Sequence, residues 1–182
     1  DFVNFGLSFD ATKITTTETS PQRYTKFVED FGASTTTLLS AAGWAKDSRD
    51  SLIYPTKGSL HRASGELSLP GGTLRYYRAS YQYQRFFPVF DDYTLMLNGE
   101  FGIGNGYGGK PLPFFKNFYA GGIGTIRGYE SNSLGPRDAI SGETVGGNRR
   151  FIGNAEFLFG LPGLGLAKSI RLGVFIDAGN VW

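Results

Sequence analysis

The sequence predicts an all-β protein of long antiparallel strands, and three observations carry that prediction. Apolar and polar residues alternate with a period of two along one segment after another, as in strands with one apolar and one polar face. Most of these segments run ten or more residues, against about 5–6 for strands of ordinary soluble domains. Aromatics make up 15% of the 182 residues and 27 are glycine, about twice glycine's usual share of roughly 7%.

The first strand is expected at 2–13, where Val3, Phe5, Leu7 and Phe9 alternate with Asn4, Gly6, Ser8 and Asp10. Segments 34–46 and 58–69 alternate less cleanly. In 74–88, Tyr77, Ala79, Tyr81, Tyr83 and Phe87 oppose Arg78, Ser80, Gln82 and Gln84. In 92–104, Tyr93, Leu95, Leu97, Phe101 and Ile103 oppose Thr94, Met96, Asn98 and Glu100. In 148–161, Phe151, Ala155, Phe157, Phe159 and Leu161 oppose Arg150, Asn154 and Glu156. The seventh strand, 169–182, sets Ile170, Leu172, Val174, Ile176 and Ala178 against Arg171, Gly173, Asp177 and Gly179. One short helix is expected within 15–33. Ser20 is placed at its N-cap and Pro21 at its first position. Tyr24, Phe27, Val28 and Phe31 form its apolar stripe, and Gly32 ends it.

Two architectures fit these strands. A soluble sandwich buries its apolar face, whereas an up-and-down transmembrane barrel turns it to lipid and keeps polar residues in a wet lumen. No run of 18 apolar residues is present, so no transmembrane helix is expected. A mean hydropathy of −0.19 suits a barrel equally well. The connections run 15–33, 47–57, 70–73, 88–91, 105–146 and 162–168. Outer-membrane barrels have long outer loops and short periplasmic turns, which places 15–33, 70–73 and 105–146 outside the cell. The start at Asp1 without Met, and the end at Trp182 inside a strand-like segment, read as the ends of a fragment.

Connection 105–146 is the most informative part. Loops this long are uncommon in compact domains, and Phe114, Phe115, Phe118, Tyr119 and Tyr129 require this one to pack against something. Arg127, central in it, needs a partner there. Glu156 and Asp177 lie on the polar faces of two neighbouring strands, roughly level and near mid-strand. Three uses remain open for them. They could form a hydrolytic carboxylate pair, stand as separately solvated charges, or be bridged by Arg127 if the loop folds back.

Other chemistry is thin. A net charge of +2 provides no strong field for nucleic acid. There is no cysteine and a single histidine, which excludes thiolate or multi-histidine metal sites and a histidine triad among these residues. His61 shares a face with Ala63, Leu67 and Leu69 and reads as an interfacial or packed residue. Gly102, Gly104, Gly106, Gly108 and Gly109 resemble a phosphate loop only superficially, because Lys110-Pro111-Leu112-Pro113 is a poor helix start. They read as a flexible strand end and loop entry.

The run from Asn117 to Pro136, with its tetrad Ile126-Arg127-Gly128-Tyr129, resembles the sixth extracellular loop of the BamA family, the outer-membrane β-barrel assembly factors of Gram-negative bacteria. Gly43-Trp44, the segment Tyr54 to Gly58, the loop entry from Gly104 to Phe115, and the segment Phe175 to Trp182 resemble further parts of that barrel. The tetrad alone is shared with TamA-like assembly proteins and two-partner secretion transporters. These, a passive porin and a soluble binding module are the rival readings.

The resemblance implies that residues 1–182 are part of a C-terminal sixteen-stranded transmembrane barrel, covering its seventh to thirteenth strands, with periplasmic repeat domains and the last strands lying outside the chain. It implies that Arg127 sits in the lumen and pairs with Glu156 and Asp177. It implies an insertase rather than an enzyme, with no catalytic residues, metal or cofactor. The implied partners are outer-membrane lipids, unfolded β-barrel clients and accessory assembly lipoproteins, and not nucleic acid.

Overall fold

The computed structural model describes residues 1–90, 92–160 and 170–182. The strands are β1 (Phe2–Lys13), β2 (Ser34–Asp47), β3 (Gly58–Leu69), β4 (Tyr76–Phe90), β5 (Tyr93–Gly106), β6 (Arg149–Gly160) and β7 (Arg171–Val181). They form one seven-stranded sheet in sequence order, each antiparallel to the next. This overturns the sandwich. Tyr77 and Tyr81 are not clamped between two sheets but are 39% and 42% exposed. The expected connection 162–168 lies outside the described residues, as do positions 161 and 169.

Strand bounds differ from expectation for local reasons. β4 begins at Tyr76 because Thr73 and Leu74 turn their N–H groups to the Thr36 carbonyl. It continues past Pro88 to Phe90 through a register shift, the kind of irregularity that tolerates a strand proline.

The register puts Val3, Phe5, Leu7, Phe9, Tyr81, Leu95, Leu97, Phe157, Phe159, Leu172 and Val174 on one face. The other face carries Glu66, Arg78, Gln82, Asn98, Glu100, Arg150, Asn154, Glu156 and Asp177. The connection between β5 and β6 lies across this polar face. Phe118 is 1% exposed and seats directly on Gly102, where a Cβ would come within 2.6 Å of its ring. Gly102 is therefore not a flexible strand end; it is a strand residue whose missing side chain makes room for an aromatic ring. The Arg78 guanidinium lies 4.1 Å from the Phe118 centroid. Lys116 reaches Glu66 at 3.2 Å, and Arg150 donates to the Tyr119 carbonyl at 3.2 Å.

Helix α1 (Gln22–Phe31) covers one end of this face. Its stripe buries Phe27 against Leu39, Leu74 and Tyr76, with Phe31, Phe114 and Phe115 around them. Tyr24 stacks on Phe114 at 4.0 Å between centroids. Gly32, at φ 87°, returns its N–H to the Val28 carbonyl and ends the helix. The start differs from expectation. Pro21 is the N-cap, Gln22 the first helical residue, and no side chain of the flanking residue caps it. The Ser20 hydroxyl instead accepts the Thr17 N–H. The Gln22 N–H goes to Asp138 Oδ2 at 2.9 Å, so the helix is capped from the β5–β6 loop. Proline has no N–H, which leaves the next donor to be met from elsewhere.

Two predictions follow from this packing, both for the full-length protein. Gly102→Val should unseat Phe118 and raise protease cleavage between residues 107 and 148, whereas Gly99→Val, with open space around position 99, should leave cleavage unchanged. Asp138 also accepts the Ser141 and Ile140 N–H groups, and these bonds, Ser141 first, hold its carboxyl below the ordinary value. A lowered folded pKa gives a contribution that is complete above the unfolded value, about 3.9, and lost as pH falls through the folded one. Hydrogen-exchange protection of Gln22–Thr25 should therefore be flat near neutrality and fall below about pH 4. Asp138→Asn should remove that acid step.

Candidate functional site

The loop tip is built by two backbone bridges, Ala120 to Leu134 and Gly122 to Ile126. Ile126 is the apolar anchor: it is 3% exposed and packs with Ala120, Ile152, Val181 and Leu134. Gly179 makes room for it, since a Cβ there would lie 2.8 Å from Ile126 Cδ1. Gly128, at φ 85°, turns the chain immediately after Arg127 in a region that side-chain-bearing residues avoid.

Held in this way, Arg127 meets Asp177 with three donors. Its backbone N–H and its Nε donate to Oδ2 at 2.9 and 2.7 Å, and Nη2 donates to Oδ1 at 2.8 Å. The remaining arm, Nη1, is 3.3 Å from Glu156 Oε1. The side chains are unequally covered: Asp177 is 2% exposed, Arg127 22% and Glu156 21%. Glu156 stands opposite Phe175, and Asp177 opposite Asn154, so the two carboxylates are diagonal neighbours rather than directly paired. One planar guanidinium spans that diagonal because its donors form a fixed fork.

Three participants escaped the sequence reading. Phe175 lies under Arg127, with Cζ 3.5 Å from the ring centroid. Strand alternation places position 175 on the polar face beside Asp177, which was the available signal. Asn154 donates to Asp177 Oδ1 and to the Thr125 carbonyl, both at 2.8 Å. Lys116, on Glu66, is a second loop cation with a carboxylate partner. Tyr129, the last residue of the tetrad, is 56% exposed and does not join the cluster. His61 faces away on the apolar side, 2.9 Å from the Tyr81 hydroxyl and 4.6 Å from the Tyr83 ring.

A row of amides runs into the cluster. Gln82 Nε2 donates to Asn98 Oδ1 at 2.9 Å, and Asn98 Nδ2 to Asn154 Oδ1 at 2.8 Å. Asp177, an acceptor only, obliges Asn154 to present its NH2. That turns the Asn154 oxygen to Asn98, and the same logic orients Gln82. Chemically, the arrangement holds charge in place. With four donors on Asp177 and Arg127 on Glu156, neither carboxylate is arranged as a free acid–base pair.

The whole chain, residues 2–182, matches the Omp85 superfamily domain. It is 41% identical to the outer membrane protein assembly factor BamA of Neisseria meningitidis, covering 100% of this chain and 24% of that protein. It is 29% identical to the sorting and assembly machinery component 50 homolog of Mus musculus, over 74% of this chain and 29% of that one. In structure it resembles BamA from Haemophilus ducreyi lacking POTRA domains 1–3. The TM-score is 0.87 at 23% identity, covering 99% of this chain and 38% of that one. The chain thus spans about a quarter of the length of the curated relatives it matches. On the match over its full length, this chain belongs to the Omp85 superfamily.

Proposed function

We propose that these seven strands are part of the C-terminal transmembrane barrel of an outer-membrane protein assembly factor, and that Arg127 on Asp177 and Glu156 locks the β5–β6 loop inside it. The 41% identity to a protein of that name over the entire chain supports the first statement. The second rests on one observation: three donors of Arg127 converge on a nearly inaccessible carboxylate. In this reading the lipids of the outer membrane meet the apolar face, and the loops 15–33, 70–73 and 105–146 lie outside the cell. The partners are unfolded β-barrel clients and, through regions beyond this chain, accessory assembly lipoproteins. The work is non-covalent: it lowers the barrier for a client's edge strands to pair and enter lipid.

The lock predicts a defined mutational pattern in the full-length protein. Removing one partner of a buried ion pair costs roughly 3–5 kcal/mol because the other charge is stranded. Partial wetting of Arg127 places Arg127→Ala at the low end, about 3 kcal/mol. It should raise protease cleavage of the loop and slow client assembly in complementation assays. Arg127→Lys keeps the charge but loses the fork and the guanidinium contact with the Phe175 ring, so it should rescue only in part. Asp177→Ala should mimic Arg127→Ala, and the double variant should be little worse than either. Simple additivity in that cycle would reject the lock.

The membrane assignment predicts a depth dependence. Ala155, mid-strand on the apolar face of β6, should cost about 2–4 kcal/mol when replaced by Arg, whereas Leu172→Arg near a strand end should cost about 0–1 kcal/mol. Denaturant titration of folding into vesicles reads both. Equal costs would argue against a membrane-spanning sheet.

A further inference from the structure

The inner face of the sheet carries charges of both signs, whereas the outer face carries one. Among the described strand residues, every carboxylate points to the face covered by the loop: Asp10, Asp47, Glu66, Glu100, Glu156 and Asp177. The opposite, apolar face carries cations only. Two of them, Lys46 and Arg85, lie toward the end of the sheet remote from the β5–β6 loop, with His61 between them.

Register brings these three together. Lys46 pairs with His61, and His61 with Tyr83. Arg85 lies two residues further along β4, opposite Leu97. The rows of paired residues climb from that end on passing from β2 to β4: Lys46 is next to the last residue of β2, whereas Tyr83 is well inside β4. Stepping from Tyr83 to Arg85 descends again to the level of Lys46. Two strand spacings and two residue rises separate their Cα atoms by about 12 Å, which two long side chains can close from either side. Both residues are exposed, and neither forms an ion pair among the described residues. His61 is positioned rather than loose: Nδ1 is 2.9 Å from the Tyr81 hydroxyl, and its ring lies tilted against that of Tyr83, 4.6 Å between centroids. Trp44 completes the aromatic surround, 6.1 Å from the His61 ring.

Cations without counter-ions among the described residues, on a lipid-facing surface and bedded in Trp, Tyr and His, match one kind of ligand. Aromatic residues hold the level of the headgroups, and Lys and Arg extend their charge out of the apolar layer along their stems. We infer that Lys46, His61 and Arg85 form a binding site for the phosphodiester of an anionic glycerophospholipid, in the leaflet at the short-connection end of the barrel. The acyl chains would lie along the apolar face above. This inference rests on the membrane reading given above.

The test uses the full-length protein folded into phosphatidylcholine vesicles containing either brominated phosphatidylglycerol or brominated phosphatidylcholine. The reporter is Trp44 fluorescence, isolated as the difference from a Trp44→Phe protein. Wild type should be quenched preferentially by the brominated phosphatidylglycerol. Basic residues near an anionic surface contribute about 1 kcal/mol each, so Lys46→Gln and Arg85→Gln should each lower the preference about fivefold. Arg149→Gln, on the same face at the far end, should leave it unchanged. No preference from a folded wild-type barrel, or a preference surviving in the Lys46→Gln/Arg85→Gln double variant, would overturn the site alone. Equal losses from Arg149→Gln would overturn it in favour of a diffuse charge effect. Failure to enter either kind of vesicle would overturn the membrane reading together with the site.

Discussion

Asp177 is the constraint around which the inner face is arranged. A carboxylate that is 2% exposed on a membrane-type strand is tolerable only when its lone pairs are met. Here four donors meet them, three from Arg127 and one from Asn154. Because one of the three is a backbone N–H, the contact fixes the loop's main chain as well as a side chain. That geometry requires Gly128 to turn the chain and Ile126 to be buried on the other side of the arginine.

One ion pair could not order a connection of this length. Each residue fixed costs roughly 1–2 kcal/mol of backbone entropy, so the loop needs attachments along its course. They fall on successive strands: Lys116 on Glu66 of β3, Phe118 beneath Arg78 of β4 and over Gly102 of β5, the Tyr119 and Thr125 carbonyls on Arg150 and Asn154 of β6, and Arg127 on Asp177 of β7. Helix α1 adds a further contact through Phe27, Tyr24 and the cap taken from Asp138. The loop and the helix therefore stabilise one another, and the sheet supplies the surface for both. The amide row from Gln82 to Asn154 extends the order imposed by Asp177 across four strands, since each amide can turn in only one way once a carboxylate stands at its end.

The sheet's other face follows the opposite logic. With the loop and all the carboxylates of the described strands on the inner side, the charged residues of the outward surface are basic and stand among aliphatic and aromatic side chains. That division lets one sheet hold a charged, hydrogen-bonded interior against an apolar exterior.

Alternation along the chain located the strands and their two faces, and left the choice between sandwich and barrel to the fold. Period-two alternation depends only on local chemistry, and strands consecutive in sequence commonly pair as neighbours. The same alternation put Glu156 and Asp177 on the polar face and pointed to Arg127 as the loop's central charge. Tertiary structure alone decided which atoms meet. The β6–β7 register makes Glu156 and Asp177 diagonal rather than opposite, and a shift of that size cannot be read from the pattern of either strand. Phe175, an aromatic on the polar face, has its partner only because the loop brings Arg127 down onto its ring. Gly102 reads in sequence as part of a flexible strand end, but Phe118 occupies the space above it. Ser20 and Pro21 carried a local helix-start signal, but the cap came from Asp138, more than a hundred residues away. Each of these is a contact between segments distant in the chain. Its energy depends on positions in space that only the closed packing of loop on sheet defines.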